Sequence, residues 1–173
     1  ESAWDWSALR TTLTITTAAD DQTYSLTGSQ NKVKILNAIN DTSNLVMQYQ
    51  PQVWFDDKYL INTPASGSPE YYTFNGVDTN GDTQIDVYPK PDAAYSLKIK
   101  CTLRNTELSN DTDTLAIPSE PVIHMAIALL ARERGETGGT SAAEYFGIAD
   151  KYLSDAIALD AQKHPEETIW YTP

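Results

Sequence analysis

Apolar and polar residues alternate in several short stretches of the first 105 residues. The most regular of these is residues 95–103, YSLKIKCTL, where every second side chain is apolar. Alternation with a period of two predicts a β-strand with one buried face. The residues predicted to face the core are Tyr95, Leu97, Ile99, Cys101 and Leu103.

Other stretches share this alternation, among them TTLTITT at residues 11–17 and QIDVYP at residues 84–89. Turn-forming residues separate them, as in Asn75-Gly76. Strands at this spacing predict an antiparallel meander that folds into a sandwich or a barrel. Residues 51–60, PQVWFDDKYL, instead predict a short helix beginning at Pro51, because proline suits a first helical turn.

A helical period replaces the alternation after residue 117. Apolar residues recur three and four positions apart, and the predicted stripe is Val122, Ile123, Ala126, Ile127 and Leu130. Ser119 is the expected N-cap and Pro121 suits the first turn. This helix is expected to end near Gly135.

A second helix is predicted to start with a capping box formed by Ser141 and Glu144. Its apolar stripe is Tyr145, Ile148, Ala149, Tyr152, Leu153, Ala156 and Ile157. The connector GETGGT, residues 135–140, is short, so the two helices are expected to pack antiparallel.

Strands followed by helices predict an α+β fold. The expected architecture is an antiparallel β-sandwich or barrel-like meander followed by an antiparallel helical hairpin. A β-rich domain with a short helical lead is expected at residues 1–117, the hairpin at 118–163, and an extended C-terminal arm at 164–173.

The composition of the chain excludes several classes of function. The chain has 173 residues and a net charge of -12, which repels nucleic acid and anionic lipid at long range. Such a protein can surround DNA without gripping it. No apolar run reaches 18 residues, so no membrane-spanning segment is expected, and no secretory signal is recognised. Cys101 is the single cysteine, which excludes an internal disulfide and fits assembly inside a cell.

The stretch VDTNGDTQIDVYP, residues 77–89, begins like a calcium-binding loop, with oxygen-bearing side chains at Asp78, Asn80 and Asp82. An EF-hand loop counted from Asp78 requires Gly at position 6 and Glu at position 12. Those positions hold Thr83 and Pro89. A polar β-turn is therefore favoured, and a calcium-dependent β-sandwich module that binds carbohydrate or protein is the alternative function.

The search for catalytic chemistry is negative. No nucleophile elbow, HExxH, CxxC pair or GxGxxG occurs. Carboxylates that could be paired for acid–base chemistry are Asp56, Asp57, Asp111, Asp113, Glu166 and Glu167. Acidic residues mostly lie on solvated surfaces, so we expect no enzyme activity and no cofactor.

The aromatic residues divide into two groups. Trp54 and Tyr59 are expected in the core. Trp170 and Tyr171 lie in a proline-bounded segment too short to fold alone, so an interface is at least as good a place for them.

Three stretches, in this order, resemble head-to-tail adaptor proteins of tailed bacteriophages, including the tail tubular protein A type of short-tailed phages. They are AWDWSALRTTLTITTAADDQTYSL, then YYTF with QIDVYPKPDAAYSLKIKCTL, then LSNDTDTLAIPSEPVIHMAIALLARERGE. The marks are a Trp-rich lead into a Thr-rich strand, the VYPKP strand end, and a Leu-Ser-x-Asp-x-Asp run before an Ala-rich helix. The resemblance covers nearly the whole chain, although the turn TGSQNKVK departs from the Leu-Pro of relatives.

The resemblance implies a structural protein of the virion neck, assembled in the host cytoplasm, with no catalytic residues. Copies, commonly twelve, are expected to form a ring below the portal protein and to receive a tail or nozzle protein. DNA passes through without sequence-specific binding. The family also implies one or two helices before the Trp-rich lead, which are expected to be missing or partial in this sequence.

The resemblance further implies that the C-terminal arm docks on the portal or on a neighbouring subunit. The residues expected to bind the partner are His164, Pro165, Ile169, Trp170 and Tyr171.

Overall fold

The computed structural model describes residues 4–104, 108–133 and 140–163. Within them, strands form two sheets and are followed by two long helices, so the predicted α+β fold is confirmed. The chain divides into two compact units. Residues 10–104 form the β unit, and residues 4–9 join those from 108 onward in the helical unit.

The β unit contains eight strands: β1 Arg10–Thr16, β2 Thr23–Ser25, β3 Val33–Asn40, β4 Leu45–Val46, β5 Gln48–Tyr49, β6 Tyr71–Val77, β7 Thr83–Tyr88 and β8 Ser96–Leu103. One sheet has the order β1-β8-β3-β4 and the other β2-β7-β6-β5. Neighbouring strands are antiparallel, except β5 and β6, which are parallel. The chain thus crosses between two open sheets, rather than following one meander or closing a barrel.

The core of the β unit lies between the sheets. On β8, Leu97, Ile99 and Cys101 are fully buried, as the alternation predicts, while Leu103 at its end and Tyr95 just before it are half-buried. The core is filled from both sheets by Tyr24, Leu26, Ala38, Met47, Tyr72, Ile85, Val87, Leu97 and Ile99. Each large apolar side chain buried in this way stabilises the sandwich by about 1.5–3 kcal/mol.

The short helix predicted to begin at Pro51 is confirmed. Pro51 is the N-cap of α1, Gln52–Asp56, and the chain continues as a π-helical segment, Asp57–Ile61. Phe55 is the buried residue of α1. This one side chain fixes which side of the short helix faces the sandwich.

An aromatic cluster surrounds α1. The Trp54 ring lies 5.0 Å from the Tyr71 ring and 5.2 Å from the Tyr88 ring, and Tyr59 stacks on Phe55. Trp54 and Tyr59 are themselves half-buried. The two residues were expected in the core. They lie instead at its edge, where part of each ring is in contact with water.

The helical unit contains α2, Ser119–Glu133, and α3, Thr140–Ala161, which confirms both predicted helices. The rings of His124 and Tyr152 stack with centroids 4.2 Å apart and planes 7° apart. Pro121 near the start of α2 and Leu159 near the end of α3 line the same cavity, so the packed helices run antiparallel, as the short connector predicts.

Buried alanines occur on both helices. Ala128 and Ala131 on α2, and Ala149 and Ala156 on α3, are buried. The larger apolar residues of the predicted α2 stripe are exposed instead.

The ends of the helices are only partly described. Helix α2 has Ser119 as its first residue, one position earlier than a Ser119 N-cap implies, and its last described residue is Glu133. The Gly135 end and the Ser141 side chain of the predicted capping box lie outside the described residues.

The lead segment packs with the helices. A 3-10 helix covers Ser7–Leu9, and Trp6 is 3% exposed in a cluster with Ile117 and Ala156. The structure therefore groups residues 4–9 and 108–117 with the helical unit, whereas the sequence division placed them with the strands. The reason is burial of Trp6, whose partners lie more than 100 residues away in sequence.

Among the described residues, no helix is both long enough and apolar enough to cross a membrane.

Candidate interaction surfaces

A buried carboxylate ties the lead segment to the end of α3. Asp160 accepts hydrogen bonds from the Trp4 indole Nε1 at 2.9 Å and from the Ser7 backbone N–H at 3.0 Å. The Ser7 hydroxyl also donates to it, and Lys163 Nζ lies 3.3 Å away. One acidic side chain therefore satisfies three donors of the lead segment.

The protonation state of Asp160 follows from these contacts. Burial raises the pKa of its carboxyl group, but the hydrogen bonds from Ser7 and Trp4 favour the charged form. Together they hold the pKa well below its usual range. Asp160 is thus an anion that anchors the lead segment at any ordinary pH.

An apolar groove runs beside the lead segment. Two cavities, of about 860 Å³ and about 370 Å³, share Trp6, Ile117, Pro118 and Pro121 among their walls. We call these two adjacent cavities together the Trp6 groove. It lies entirely within the helical unit, and Trp6 forms a wall common to both parts.

The two parts of the Trp6 groove differ in polarity. The smaller part lies between the helices and is lined by apolar residues such as Met125, Leu129 and Leu153. The larger part extends to Lys163, which follows α3, and Glu120 and Asp155 are among its lining residues. A ligand of this groove therefore needs an apolar body and meets an acidic rim.

Part of the predicted helical stripes is open to solvent. On α2, Ile123, Ile127 and Leu130 follow one another at helical spacing and are 40–54% exposed. On α3, the residues Tyr145, Ile148, Tyr152 and Leu159 also follow helical spacing and are exposed. We call these the exposed stripes of α2 and α3. Contiguous apolar surface of this kind marks an interaction site.

The β unit exposes apolar side chains at α1 and the π-helical segment. Val53, Leu60 and Ile61 are 78–79% exposed. They form the most exposed group of large apolar residues on the described chain. This second patch lies on a different unit from the exposed stripes.

The loop that resembles a calcium site has its carboxylates engaged by backbone N–H groups. Asp78 Oδ1 accepts from Asn80 and Asp82, at 2.8 and 2.9 Å. The two oxygens of Asp82 accept from Gly28 at 3.0 Å and Gln30 at 2.8 Å. These contacts build the turn that the sequence favours and pin it to the loop after β2.

The same contacts affect protonation in this loop. Hydrogen bonds from the Asp82 backbone lower the pKa of Asp78. No group of three His, Cys, Asp or Glu residues in the described part of the chain is placed to hold a metal ion.

The described carboxylates that the sequence offers for acid–base chemistry make separate, local contacts. Asp56 accepts from the Gln52 side chain, and Asp57 lies 3.6 Å from Lys58. Asp113 accepts two backbone N–H groups at residues 109 and 110, which lowers its pKa. Each of these contacts is local and exposed, as expected for structural capping. Glu166 and Glu167 lie outside the described residues.

The partner-binding residues predicted in the C-terminal arm also lie outside the described residues; they are His164, Pro165, Ile169, Trp170 and Tyr171.

Sequence reasoning missed the anchor at Asp160. It follows apolar residues in a helix rich in Asp, and nothing local distinguishes it from exposed Asp150 or Asp155. One signal was present: Asp160 continues the buried spacing of Ala149 and Ala156 on α3. An acidic residue on that buried face requires donors.

A comparison with known protein families identifies the family of this chain. The family model described as SU10 adaptor protein matches residues 2–169. The chain belongs to the SU10 adaptor protein family. This adaptor is a phage adaptor-type protein with a structural role, which confirms the resemblance seen in the sequence at the level of adaptors in general. No curated protein matches the chain.

Proposed function

We propose that this adaptor joins head to tail in a tailed phage by forming a ring below the portal protein. DNA passes through the ring, and the tail attaches to it. The observation that carries the proposal is the pair of exposed stripes on α2 and α3, in a chain that belongs to an adaptor family.

The exposed stripes are suited to contact between copies. Ile127 and Tyr152 are each 40% exposed, so each has much apolar surface left to bury. Full burial of a large apolar side chain is worth about 1.5–3 kcal/mol, so burying the exposed 40% of one contributes roughly 0.6–1.2 kcal/mol. Several such residues on each copy add up along the contact between neighbours.

Ring closure requires two different, complementary surfaces on every copy, because a heterologous interface repeats around an axis. The helical unit offers the exposed stripes, and the β unit offers Val53, Leu60 and Ile61. Two apolar patches on separate units meet the need for two surfaces.

The acidic net charge of the chain is consistent with a place in the wall of a DNA channel. The net charge of -12 gives an electrostatic field that repels phosphate. Proteins bind DNA largely because their Lys and Arg neutralise phosphates and release the cations condensed on the DNA. This chain has 12 Lys and Arg against 24 Asp and Glu. Passing DNA therefore slides without being held.

The finer assignments rest on the resemblance described for the sequence. They comprise a ring of twelve copies, contact with the portal above and with a tail or nozzle protein below, and assembly in the host cytoplasm before incorporation in the virion neck. The likeness to the tail tubular protein A type belongs to the same proposal, as does the absence of catalytic activity.

The test is assembly with the portal protein of the same phage. Native mass spectrometry and negative-stain images are expected to show adaptor rings on portal particles. Ile127→Glu and Ile148→Glu place charge in the exposed stripes and are expected to abolish the rings. Ala158→Glu, at an exposed position on a different side of α3, is the matched control and is expected to assemble normally.

Circular dichroism establishes whether each variant is folded. A folded wild-type chain that stays monomeric with the portal would overturn the ring. Rings that form equally well with Ile127→Glu and Ile148→Glu would show that the exposed stripes are not the contact between copies.

A further inference from the structure

The Trp6 groove begins where the described chain ends. Lys163 follows α3 and lines the larger part of the groove. The ten residues after it, HPEETIWYTP, contain the apolar group Ile169, Trp170 and Tyr171. The chain therefore passes the rim of an apolar groove shortly before its most apolar C-terminal residues.

We infer that residues 164–173 occupy the Trp6 groove of their own chain in the isolated protein, with Ile169, Trp170 and Tyr171 against its apolar walls. The arm proposed to bind the portal or a neighbouring subunit is then held back until such a partner competes for it. This docking is a property of the free chain and does not depend on ring formation.

The length of the arm fits the groove. Ile169 is six residues beyond Lys163, so an extended chain brings it up to about 20 Å from that point. From Pro121 to Leu129, the walls formed by α2 extend eight residues, or about 12 Å of helix. The apolar residues of the arm reach both parts of the groove without any change in α3.

The walls match the chemistry of the arm. Pro118 and Pro121 present rigid apolar surfaces above the buried Trp6, and Met125 adds an adaptable one. Aromatic side chains such as Trp170 and Tyr171 bury large areas in surroundings of this kind, and the open sides of the groove let their polar atoms reach water.

Effective concentration favours the same chain over a second copy. Only residues 164–168 connect Lys163 to Ile169, and a linker this short gives an effective concentration on the order of millimolar. At micromolar protein concentration, the chain's own arm is favoured about a thousandfold over the arm of another copy. A neighbouring groove competes only when an assembly holds it close.

The acidic residues of the arm and of the groove repel each other, which opposes docking and makes it depend on the salt concentration. Glu166 and Glu167 on the arm approach a rim that carries Glu120 and Asp155, with Lys163 as a nearby cation. Salt screens this net repulsion and leaves apolar contacts intact. Docking is therefore expected to strengthen, or to hold constant, as the salt concentration rises.

Disulfide trapping in the full chain tests the proposal. Leu129→Cys with Tyr171→Cys places one thiol in the groove and one on the arm, while Trp170 is retained. Ala158→Cys with Tyr171→Cys is the control, because residue 158 is exposed outside the groove. Cys101 is fully buried and its burial raises the pKa of the thiol, so it is a poor competitor.

At micromolar concentration under mild oxidation, the groove pair is expected to form an intramolecular disulfide at least tenfold faster than the control pair. Adding Trp170→Ala is expected to slow the reaction severalfold, and added salt is expected not to slow it. A disulfide between two molecules would assign the groove to a second copy and overturn the inference. Equal rates for the two pairs would overturn it as well.

Discussion

Asp160 holds Trp4 across 156 residues of sequence, with its carboxylate 2.9 Å from the indole Nε1. The same carboxylate accepts the backbone and hydroxyl donors of Ser7. The lead segment is thus fixed to α3 by polar contacts, and the apolar packing of Trp6 on Ile117 lies next to them. Both the Trp6 groove and the end of α3 depend on this attachment.

Asp160→Ala is expected to destabilise the helical unit by about 1–3 kcal/mol, since it leaves the donors of Trp4 and Ser7 without their acceptor. Urea unfolding followed by Trp fluorescence measures the change. Asp150→Ala, at an exposed position on the same helix, is the control and is expected to change stability by about 0.5 kcal/mol or less. A loss no larger than that of the control would contradict the role given to Asp160.

The pH dependence of stability follows from the lowered pKa of Asp160. An unfolded Asp titrates near a pKa of about 3.9, and the folded pKa lies below it. The ionised form therefore contributes its full stability above about pH 4, and this contribution is lost as the pH falls toward the folded pKa. Protonation opposes folding over that acidic range.

We expect the stability difference between the wild type and Asp160→Asn to shrink as the pH is lowered from neutral to about 3. Urea unfolding at a series of pH values provides the measurement. Asp150→Asn serves as the reference for general acid effects. A difference that stays constant, or grows on acidification, would mean that the folded state does not favour the ionised carboxylate.

Phe55→Ala is expected to destabilise the β unit by about 3–5 kcal/mol, because it removes the single fully buried side chain of α1. The neighbouring rings of Trp54 and Tyr59 lose their partner at the same time. Thermal unfolding by calorimetry measures the loss. Val53→Ala in the same helix is expected to be nearly neutral, since Val53 is largely exposed; similar losses for both would place α1 away from the core.

Asp82→Ala is expected to destabilise the β unit by about 1–3 kcal/mol, since Gly28 and Gln30 lose the acceptor of their backbone N–H groups. Asn80→Ala, at an exposed position of the same turn, is the control. Both variants and the wild type are to be melted with calcium and with a chelator. Equal melting temperatures in the two conditions are expected; calcium that stabilises only the wild type would identify a cation site at Asp82.

The sequence predicted a strand or helix most accurately where other parts of the same chain cover the apolar face of that element. The alternation in residues 95–103 locates Leu97, Ile99 and Cys101 correctly, because β8 lies between β1 and β3 and has one face on the core. The order of the strands within the two sheets could not be predicted from neighbouring residues in the sequence. It depends on long-range pairings, such as β1 with β8, that local patterns do not encode.

The helical stripes show a second limit. Their period correctly predicts α2 and α3, but a period does not tell which apolar residues find a partner within the chain. Ala128 is buried, while Ile123 and Ile127 stay exposed. Trp6 is the opposite case, because its burial depends on Ile117 and Ala156, far away in sequence.

The β unit is, topologically, an insertion. It leaves the lead segment at residue 10 and returns to the helical unit at residue 104, and Arg10 pairs with Thr102 on the neighbouring strand. Partners in an antiparallel pair have Cα atoms about 5 Å apart, so the two junctions lie side by side. A bridge of a few Gly and Ser residues can therefore replace the whole sandwich, and a foreign domain with adjacent termini can be grafted in its place.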